Sequence, residues 1–498
     1  MLALCFGSRQ FHWDTLERAY LLEHAARYMH TWDGTPRSQF LSFAHVLELP
    51  AAWIVRSVLR LPSGLEALCV LEALVAGATL GLLGALVRFW SADTRAALLA
   101  QATLGTSMAF WKMGSSGEEK ILARATQLLF LLLFWRALAT GSGTRWAAVT
   151  LAVAILSHLT GAVLVPFSIL ALLFLPAEWK AQRLPVARAL AIGAVAAFVA
   201  YYAVAAWTTH VRGLGGFVEY LTFFHRRGGI DFFEPTGAVG AARSRLVRVA
   251  SGIAAFFGSR RGVGGVAVVV LVAWILVALR AGRQASPGRP LRTLRLQALL
   301  LAVLWSSHFV FYEPENHESW TLLATLLVLV AATSLPRGRG LWFAAVFPGA
   351  LLALNLSQLA GMHRPGQMER QWRAIQRAAR PQDIVVVVGG AQGNKPLLGS
   401  IWMRYFLAHE RERPVVSLYD ILGVSQPEYW DRPFGSPAAL QAALDAGRRA
   451  YFPWFLRSDI DRANESGIVH VTYAPVPGDS LYEIRRVEAG IGRAVQSP

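Results

Sequence analysis

Three stretches put carboxylates where they could take a proton from a hydroxyl group. In Phe11-His12-Trp13-Asp14-Thr15-Leu16-Glu17, Asp14 and Glu17 are three apart and share a face if the segment is helical. Asp14 also stands where an N-cap would, just before Leu16–Met29, and from these residues alone capping and catalysis both remain open. Gly114-Ser115-Ser116-Gly117-Glu118-Glu119-Lys120 joins two apolar runs, and its plain reading is a solvated turn. Tyr312-Glu313-Pro314-Glu315-Asn316-His317-Glu318-Ser319-Trp320 packs three carboxylates and a histidine between two more apolar runs. Its oxygen-rich composition is compatible with a divalent metal, but no ligand spacing is diagnostic, so no cofactor is required and the metal ligands stay unknown. Cations come from 208–262: His225-Arg226-Arg227, then Arg243, Arg245, Arg248, Arg260 and Arg261. Arginine forks suit phosphate oxygens, whether of a substrate or of anionic lipid headgroups. Carboxylates beside arginines suit one chemistry: a hydroxyl is deprotonated while a lipid phosphate leaves, as in glycosyl transfer from a lipid-phosphate sugar.

The elements that would carry these residues are membrane helices. Of 498 residues, 54% are hydrophobic and 16% are charged. Apolar runs near 20 residues, such as 65–87 and 341–360, match the thickness of a bilayer. Two cysteines cannot build a disulfide framework, and disorder, a collagen-like fibre and a soluble nucleic-acid binder are excluded by the same pattern. The net charge of +17 rests on arginine, with only four lysines.

Ten spans are expected: 65–87, 97–111, 121–135, 146–157, 160–176, 189–207, 263–279, 296–311, 319–335 and 341–360. A polar break at Ser157-His158-Leu159-Thr160 divides the fourth from the fifth. Loops 88–96, 136–145, 177–188, 280–295 and 336–340 carry 14 Arg or Lys in 52 residues. Segments 1–64, 112–120, 158–159, 208–262 and 312–318 carry 16 in 137, with 13 acids. The denser basic side should be cytoplasmic, leaving the acids and the C-terminal residues outside. Glu66, Glu72 and Arg124 fall near the outer ends of spans, and spans 97–111, 189–207, 263–279, 296–311 and 341–360 hold no Asp, Glu, Lys or Arg. That speaks against ion-coupled transport. Met1–Gly7 is too short to span, so an upstream first helix is expected to be missing.

From 363 the composition changes to 17 basic and 14 acidic residues without a long apolar run. Helices at 371–380, 397–407 and 438–449 alternate with strands at 383–388, 414–418 and 450–455, and 468–473 and 480–485 suit a terminal antiparallel pair. This reads as a small exoplasmic α/β domain. Gly389-Gly390-Ala391-Gln392-Gly393-Asn394-Lys395 lacks phosphate-loop spacing and reads as a strand-to-helix turn. Asn464-Glu465-Ser466 fits a glycosylation sequon. The expected organisation is a first exoplasmic loop with interfacial helices (1–64), a multipass α-helical membrane domain (65–362) and the α/β domain (363–498).

Several of these stretches together resemble the GT-C class of integral-membrane glycosyltransferases, especially the bacterial branch similar to protein mannosyltransferases and aminoarabinose transferases. Phe11–Glu17 is similar to the first-loop segment that bears the acidic catalytic residue. Phe43-Ala44-His45-Val46-Leu47-Glu48-Leu49-Pro50 is similar to the histidine-containing stretch that follows, and Phe110-Trp111 through Gly117-Glu118-Glu119 to the second acidic loop. Trp146–Phe174 resembles the short helix pair, and Tyr312–Asn316 a late loop near the donor site. An aromatic residue is more usual where Lys120 stands.

The resemblance covers roughly residues 10–360 and implies an inner-membrane enzyme. Such an enzyme takes sugar from a polyprenyl-phosphate donor, usually with inversion, and passes it to an envelope lipid, glycan or protein. It implies Asp14 as base or acceptor-orienting group, and Glu118 or Glu119 as support for the acceptor or a metal. Arg226 and Arg227 would meet the lipid phosphate. Glu17, His45, Lys120, His158, Glu313, Glu315 and Asn316 would contact substrate, and the C-terminal domain would help choose the acceptor. The competing readings are a lipid or glycan flippase and a non-catalytic envelope anchor.

Overall fold

The computed structural model describes residues 46–116, 120–209, 212–218, 238–258, 261–284, 289–312, 320–334, 339–362, 364, 367–387, 415–417, 437–465, 467 and 469–490, together with Thr15, Arg18, Ala19, Leu22 and Glu23. The chain divides into two compact units. One holds the described residues from Val46 to Met362, and the other those from Arg364 onward with Thr15, Arg18, Ala19, Leu22 and Glu23.

The first unit is helical. Glu48–Leu59 precedes Gly64–Ser91, whose start is capped by Ser63 accepting the Glu66 N–H at 3.1 Å. Ala92 takes a left-handed conformation, and Asp93 Oδ1 then accepts the Arg95 N–H at 2.8 Å, so the chain reverses into Thr94–Gly105. The expected continuous span 97–111 is instead broken. Thr94–Gly105 ends at Thr106-Ser107, and a separate helix runs over Met108–Ser116. Lys120–Thr140 and Thr144–Ser157 follow, then a 3-10 turn at Leu159–Val163 leads into Leu164–Leu173. His158 sits extended at the polar break, as the sequence suggested. Arg183–Thr209, Arg261–Gln284, Arg289–Tyr312, Thr321–Ser334 and Arg339–Gly361 occupy the later expected spans.

Two differences matter. Residues Ala238–Phe257, expected within a loop, form a helix, so Arg243, Arg245 and Arg248 belong to a helix. Arg245–Phe257 and Gly262–Leu276 meet at a bend of 91°. The second difference is span length. Among the described residues only Gly64–Ser91, Lys120–Thr140 and Ala177–Trp207 are long and apolar enough to cross a membrane, or four spans if the bent pair counts as one. Thr144–Ser157, Leu159–Leu173, Thr321–Ser334 and Ala345–Gly361 are shorter apolar helices. An 18-residue stretch within Ala177–Trp207 has a mean hydropathy of 2.0, yet only 28% of it is buried. Ile192, Val195 and Val199 all face outward from it, as lipid contact demands.

Side-chain contacts bring the ends next to the five basic loops together at one face of this unit. Trp90 meets Trp135 edge-on at 4.8 Å, and Trp135 Nε1 donates to Gln297 Oε1 at 2.7 Å. Gln297 Nε2 donates to the Ala171 carbonyl at 3.2 Å, and buried Arg295 donates to the Thr333 carbonyl. Gly141 lies against the Gln182 side chain. These contacts gather the described helix ends beside the basic loops.

Among the described residues, the second unit holds a five-stranded mixed sheet in the order β2-β1-β3-β5-β4. Its strands are β1 (Ile384–Val387), β2 (Val415–Ser417), β3 (Ala450–Pro453), β4 (Val469–Pro475) and β5 (Leu481–Ala489). β1 runs parallel to β2 and β3, while β5 pairs antiparallel with β3 and β4. The period of two along β1 and β3 sorts the core. Val385 and Tyr451 pack with Ile375 of the Gln367–Ala378 helix. Ile384, Val386 and Phe452 pack with Leu440 and Ile460 of the Pro437–Asp445 and Arg457–Glu465 helices. Asn464 of the expected sequon exchanges two hydrogen bonds with the Val471 backbone, at 2.7 and 3.0 Å, and so pins helix to strand. The expected helix at 397–407 and the 389–395 turn lie outside the described residues.

Candidate active site

Most of the residues singled out for chemistry lie outside the described residues: Asp14, Glu17, His45, Glu118, Glu119, Arg226, Arg227, Glu313, Glu315 and Asn316. What the structure shows is how their flanks are held. Thr15, Arg18, Ala19, Leu22 and Glu23 are helical, and Thr15, Ala19 and Leu22 are buried. Thr15, Ala19 and Leu22 are spaced as one face of a helix.

Lys120 opens the Lys120–Thr140 helix and is half-buried. His158 is also half-buried, and its Nδ1 accepts the Thr160 N–H at 3.1 Å, which caps the 3-10 turn. That gives His158 a local structural task at the break between two apolar helices.

Two contacts join the flanks of the acidic segments 117–119 and 313–319. On one side, Thr321 Oγ1 donates to Met113 Sδ at 3.5 Å, linking the residues just after 319 to those just before 117. On the other, the Arg124 guanidinium lies over the Trp305 ring, 4.3 Å from its centroid. That contact links the first turn after Lys120 to the last turns before Tyr312. Arg124 and Trp305 are each 1% exposed, and Arg124 Nη1 donates to Gln127 Oε1 at 2.5 Å. Helix approach is tight here: a Cβ on Gly114 would lie 2.7 Å from the Ala76 Cβ, so only glycine allows this spacing. One turn before Ala76, Glu72 is fully buried, whereas Glu66 is exposed. Nearby, Asn355 Nδ2 donates to the Thr106 carbonyl at 3.1 Å and the Phe257 carbonyl at 2.8 Å. One buried amide thus serves both the break after Gly105 and the end of the Ala238–Phe257 helix.

No protein-family model matches the chain, and no curated protein matches its sequence. Solved structures do match. ArnT from Cupriavidus metallidurans bound to undecaprenyl phosphate is similar with a TM-score of 0.59, at 12% identity, over 97% of this chain and 95% of that one. The apo state of that ArnT matches equally, and the apo oligosaccharyltransferase of Archaeoglobus fulgidus gives 0.51 at 12% identity, over 95% of this chain and 71% of that one. The fold is that of the GT-C glycosyltransferases.

Within this GT-C fold, the sequence reading identified the acidic segments but missed the residues that join their flanks. Arg124 carried a signal, since a charged side chain inside an apolar helix is costly and usually has a task. Trp305, Met113 and Thr321 carried none, because ordinary membrane helices are rich in such residues. Among the described residues no cluster of three His, Cys, Asp or Glu side chains is placed to hold a metal. The oxygen-rich groups read as compatible with a divalent ion, Glu118, Glu119, Glu313 and Glu315, lie outside them.

Proposed function

We propose that this protein is a membrane glycosyltransferase that moves a sugar from a polyprenyl-phosphate carrier to an envelope lipid, glycan or protein on the exoplasmic face. The observation that carries the reading is the match along 97% of the chain to an ArnT structure holding undecaprenyl phosphate. The flanks of the 117–119 and 313–319 segments, joined at one face of the helical unit, add to it.

In the proposed reaction the acceptor hydroxyl attacks the anomeric carbon, and the bond from that carbon to the phosphate oxygen breaks. The electron pair leaves with the polyprenyl phosphate. Asp14 takes the hydroxyl proton or orients the acceptor. Glu118 and Glu119 support the acceptor, or a divalent ion if one is used. Arg226 and Arg227 pair with the departing phosphate, whose charge grows as the bond breaks. Glu17, His45, Lys120, His158, Glu313, Glu315 and Asn316 line the donor and acceptor paths. Anionic membrane lipids meet the exposed cations such as Arg248, and the proposed location is the bacterial inner membrane with residues 363–498 outside.

The test is mass spectrometry of envelope lipids and glycans from a strain lacking the gene. That strain is complemented with wild type or with Asp14→Asn at equal membrane abundance. A sugar-sized mass restored by wild type alone is the expected result. Restoration by both variants would remove Asp14 from the chemistry and favour a flippase. A wild type that adds no sugar to any envelope molecule would favour the anchor reading.

A further inference from the structure

We infer that Arg124 and Trp305, with Thr321 and Met113, are positioning residues that hold together the helix ends on either side of 117–119 and of 313–319. The inference takes its catalytic meaning from the glycosyl-transfer reading, but its structural content stands on the contacts alone. Each segment has two flanks, and each flank is tied to a flank of the other. Met113 precedes 117–119 and receives the Thr321 hydroxyl from beyond 319. Arg124 follows 117–119 and covers Trp305, which precedes 313. Either contact alone would leave a hinge, since a pair of helices joined at one point still pivots. Two contacts on opposite flanks remove that freedom.

The composition of the pair fits this task better than it fits generic packing. A guanidinium inside an apolar helix is expensive, and leucine would fill the space without that cost. Arg124 is 1% exposed, so neither solvent nor a lipid headgroup compensates it. Its partners are the Trp305 face and the Gln127 side-chain oxygen Oε1, which together fix the plane and direction of the guanidinium. A flat cation on a flat ring resists sliding and rotation in a way that two aliphatic side chains do not. Reacting groups displaced by small distances lose rate steeply, so a rigid bracket between the helix ends that lead into two polar segments has a direct catalytic use.

The experiment uses the full-length protein in lipid nanodiscs and compares wild type with Arg124→Gln, Trp305→Leu, Trp305→Phe and the distant buried-arginine control Arg295→Gln. Hydrogen-exchange mass spectrometry follows peptides spanning 113–123 and 306–322, and turnover is measured with a polyprenyl-phosphate sugar. Arg124→Gln and Trp305→Leu should each speed exchange in both peptides, although each lies beside only one of them, and leave the rest of the helical unit unchanged. Both should lower kcat by roughly tenfold with a smaller change in KM, and Trp305→Phe, which keeps a ring, should recover most of it. Arg295→Gln should leave both peptides as in wild type. Unchanged exchange in the two peptides would overturn the inference, as would faster exchange throughout the unit, which marks a role in stability alone. Paired opening with wild-type kcat would overturn the catalytic meaning. If wild type itself transfers no sugar, the functional reading fails while the exchange result still decides the bracket.

Discussion

A charged residue in a membrane helix and a phenol on a sheet show how single side chains take their properties from their neighbours. Placing arginine at the centre of a membrane helix costs about 3 kcal/mol on insertion scales. A desolvated cation–π contact returns about 2 kcal/mol. Arg124 lies near the start of its helix, where that cost is an upper bound, so the Trp305 contact offsets most of it without a net gain, which puts the pair's value in its geometry. Tyr473 shows the same dependence outside the membrane. Its hydroxyl donates to Asp461, and its ring meets Phe452 and Tyr482 at 5.1 and 5.2 Å. Burial, then the hydrogen bond to Asp461, pushes its ionisation above the ordinary phenol value. The neutral phenol is thus favoured in the folded chain, while the unfolded chain ionises at about 10. The stability this contributes is complete below that pH and is lost as pH rises from there through the folded value. A phenolate-absorbance titration of wild type minus Tyr473→Phe should show one tyrosine ionising above its free value. A difference midpoint at or below 10 would contradict this environment.

At the scale of elements, the bent helix pair around Gly258–Arg261 depends on a close backbone approach. A Cβ on Gly264 would lie 1.7 Å from the Ala254 carbonyl oxygen, and no side-chain rotation relieves a clash with backbone. Gly264→Ala should therefore destabilise the protein by about 3 kcal/mol, at the upper end for overpacking, read as a lower melting temperature in detergent. The equally small Gly262→Ala change, where nothing lies within 4 Å of the added methyl, should leave it unmoved. Equal melting of the two variants would mean that the 91° bend is not built on this contact. The same elements mark what one sequence reveals. β1 was legible because five β-branched residues in a row, Ile384 to Val388, can hardly be a solvated loop. The pairing of β4 with β5 was legible from two short strands either side of a turn. The break at Thr106 was missed although Gly105-Thr106-Ser107 is a weak helix stop, because apolar residues on both sides hid it. Ala238–Phe257 was read as loop because its arginines obscured its amphipathic period. The Met113–Thr321 and Arg124–Trp305 contacts were invisible, since pairings between residues so far apart leave no mark in the spacing of a single chain.

For the whole molecule, two observations bear on the expected sidedness, and neither depends on the other. Charge counting places 14 of the basic residues in five short loops. Side-chain contacts from Trp90 through Trp135 and Gln297 to Ala171, and from Arg295 to Thr333, join the helix ends beside those loops at one face. A chain threaded differently would have scattered its basic loops over both faces. The opposite ends hold the Arg124–Trp305 and Met113–Thr321 contacts and the Tyr201 hydroxyl donating to the Ile155 carbonyl at 3.0 Å. If the basic face is cytoplasmic, the acidic segments open on the exoplasmic side, where carrier-linked sugars would be consumed without nucleotide donors. Alkaline phosphatase is active only outside the cytoplasm, so fusions report side directly. A fusion after Gln182 should be inactive, and fusions after Met362 and at the C-terminus should be active. Moving charge should move topology: replacing Arg289, Arg292 and Arg295 together with glutamine should weaken the bias and give the Met362 fusion mixed activity. An active Gln182 fusion with an inactive Met362 fusion would invert the molecule and put the proposed site in the cytoplasm. The same fold would then have to draw its sugar from a donor on that side.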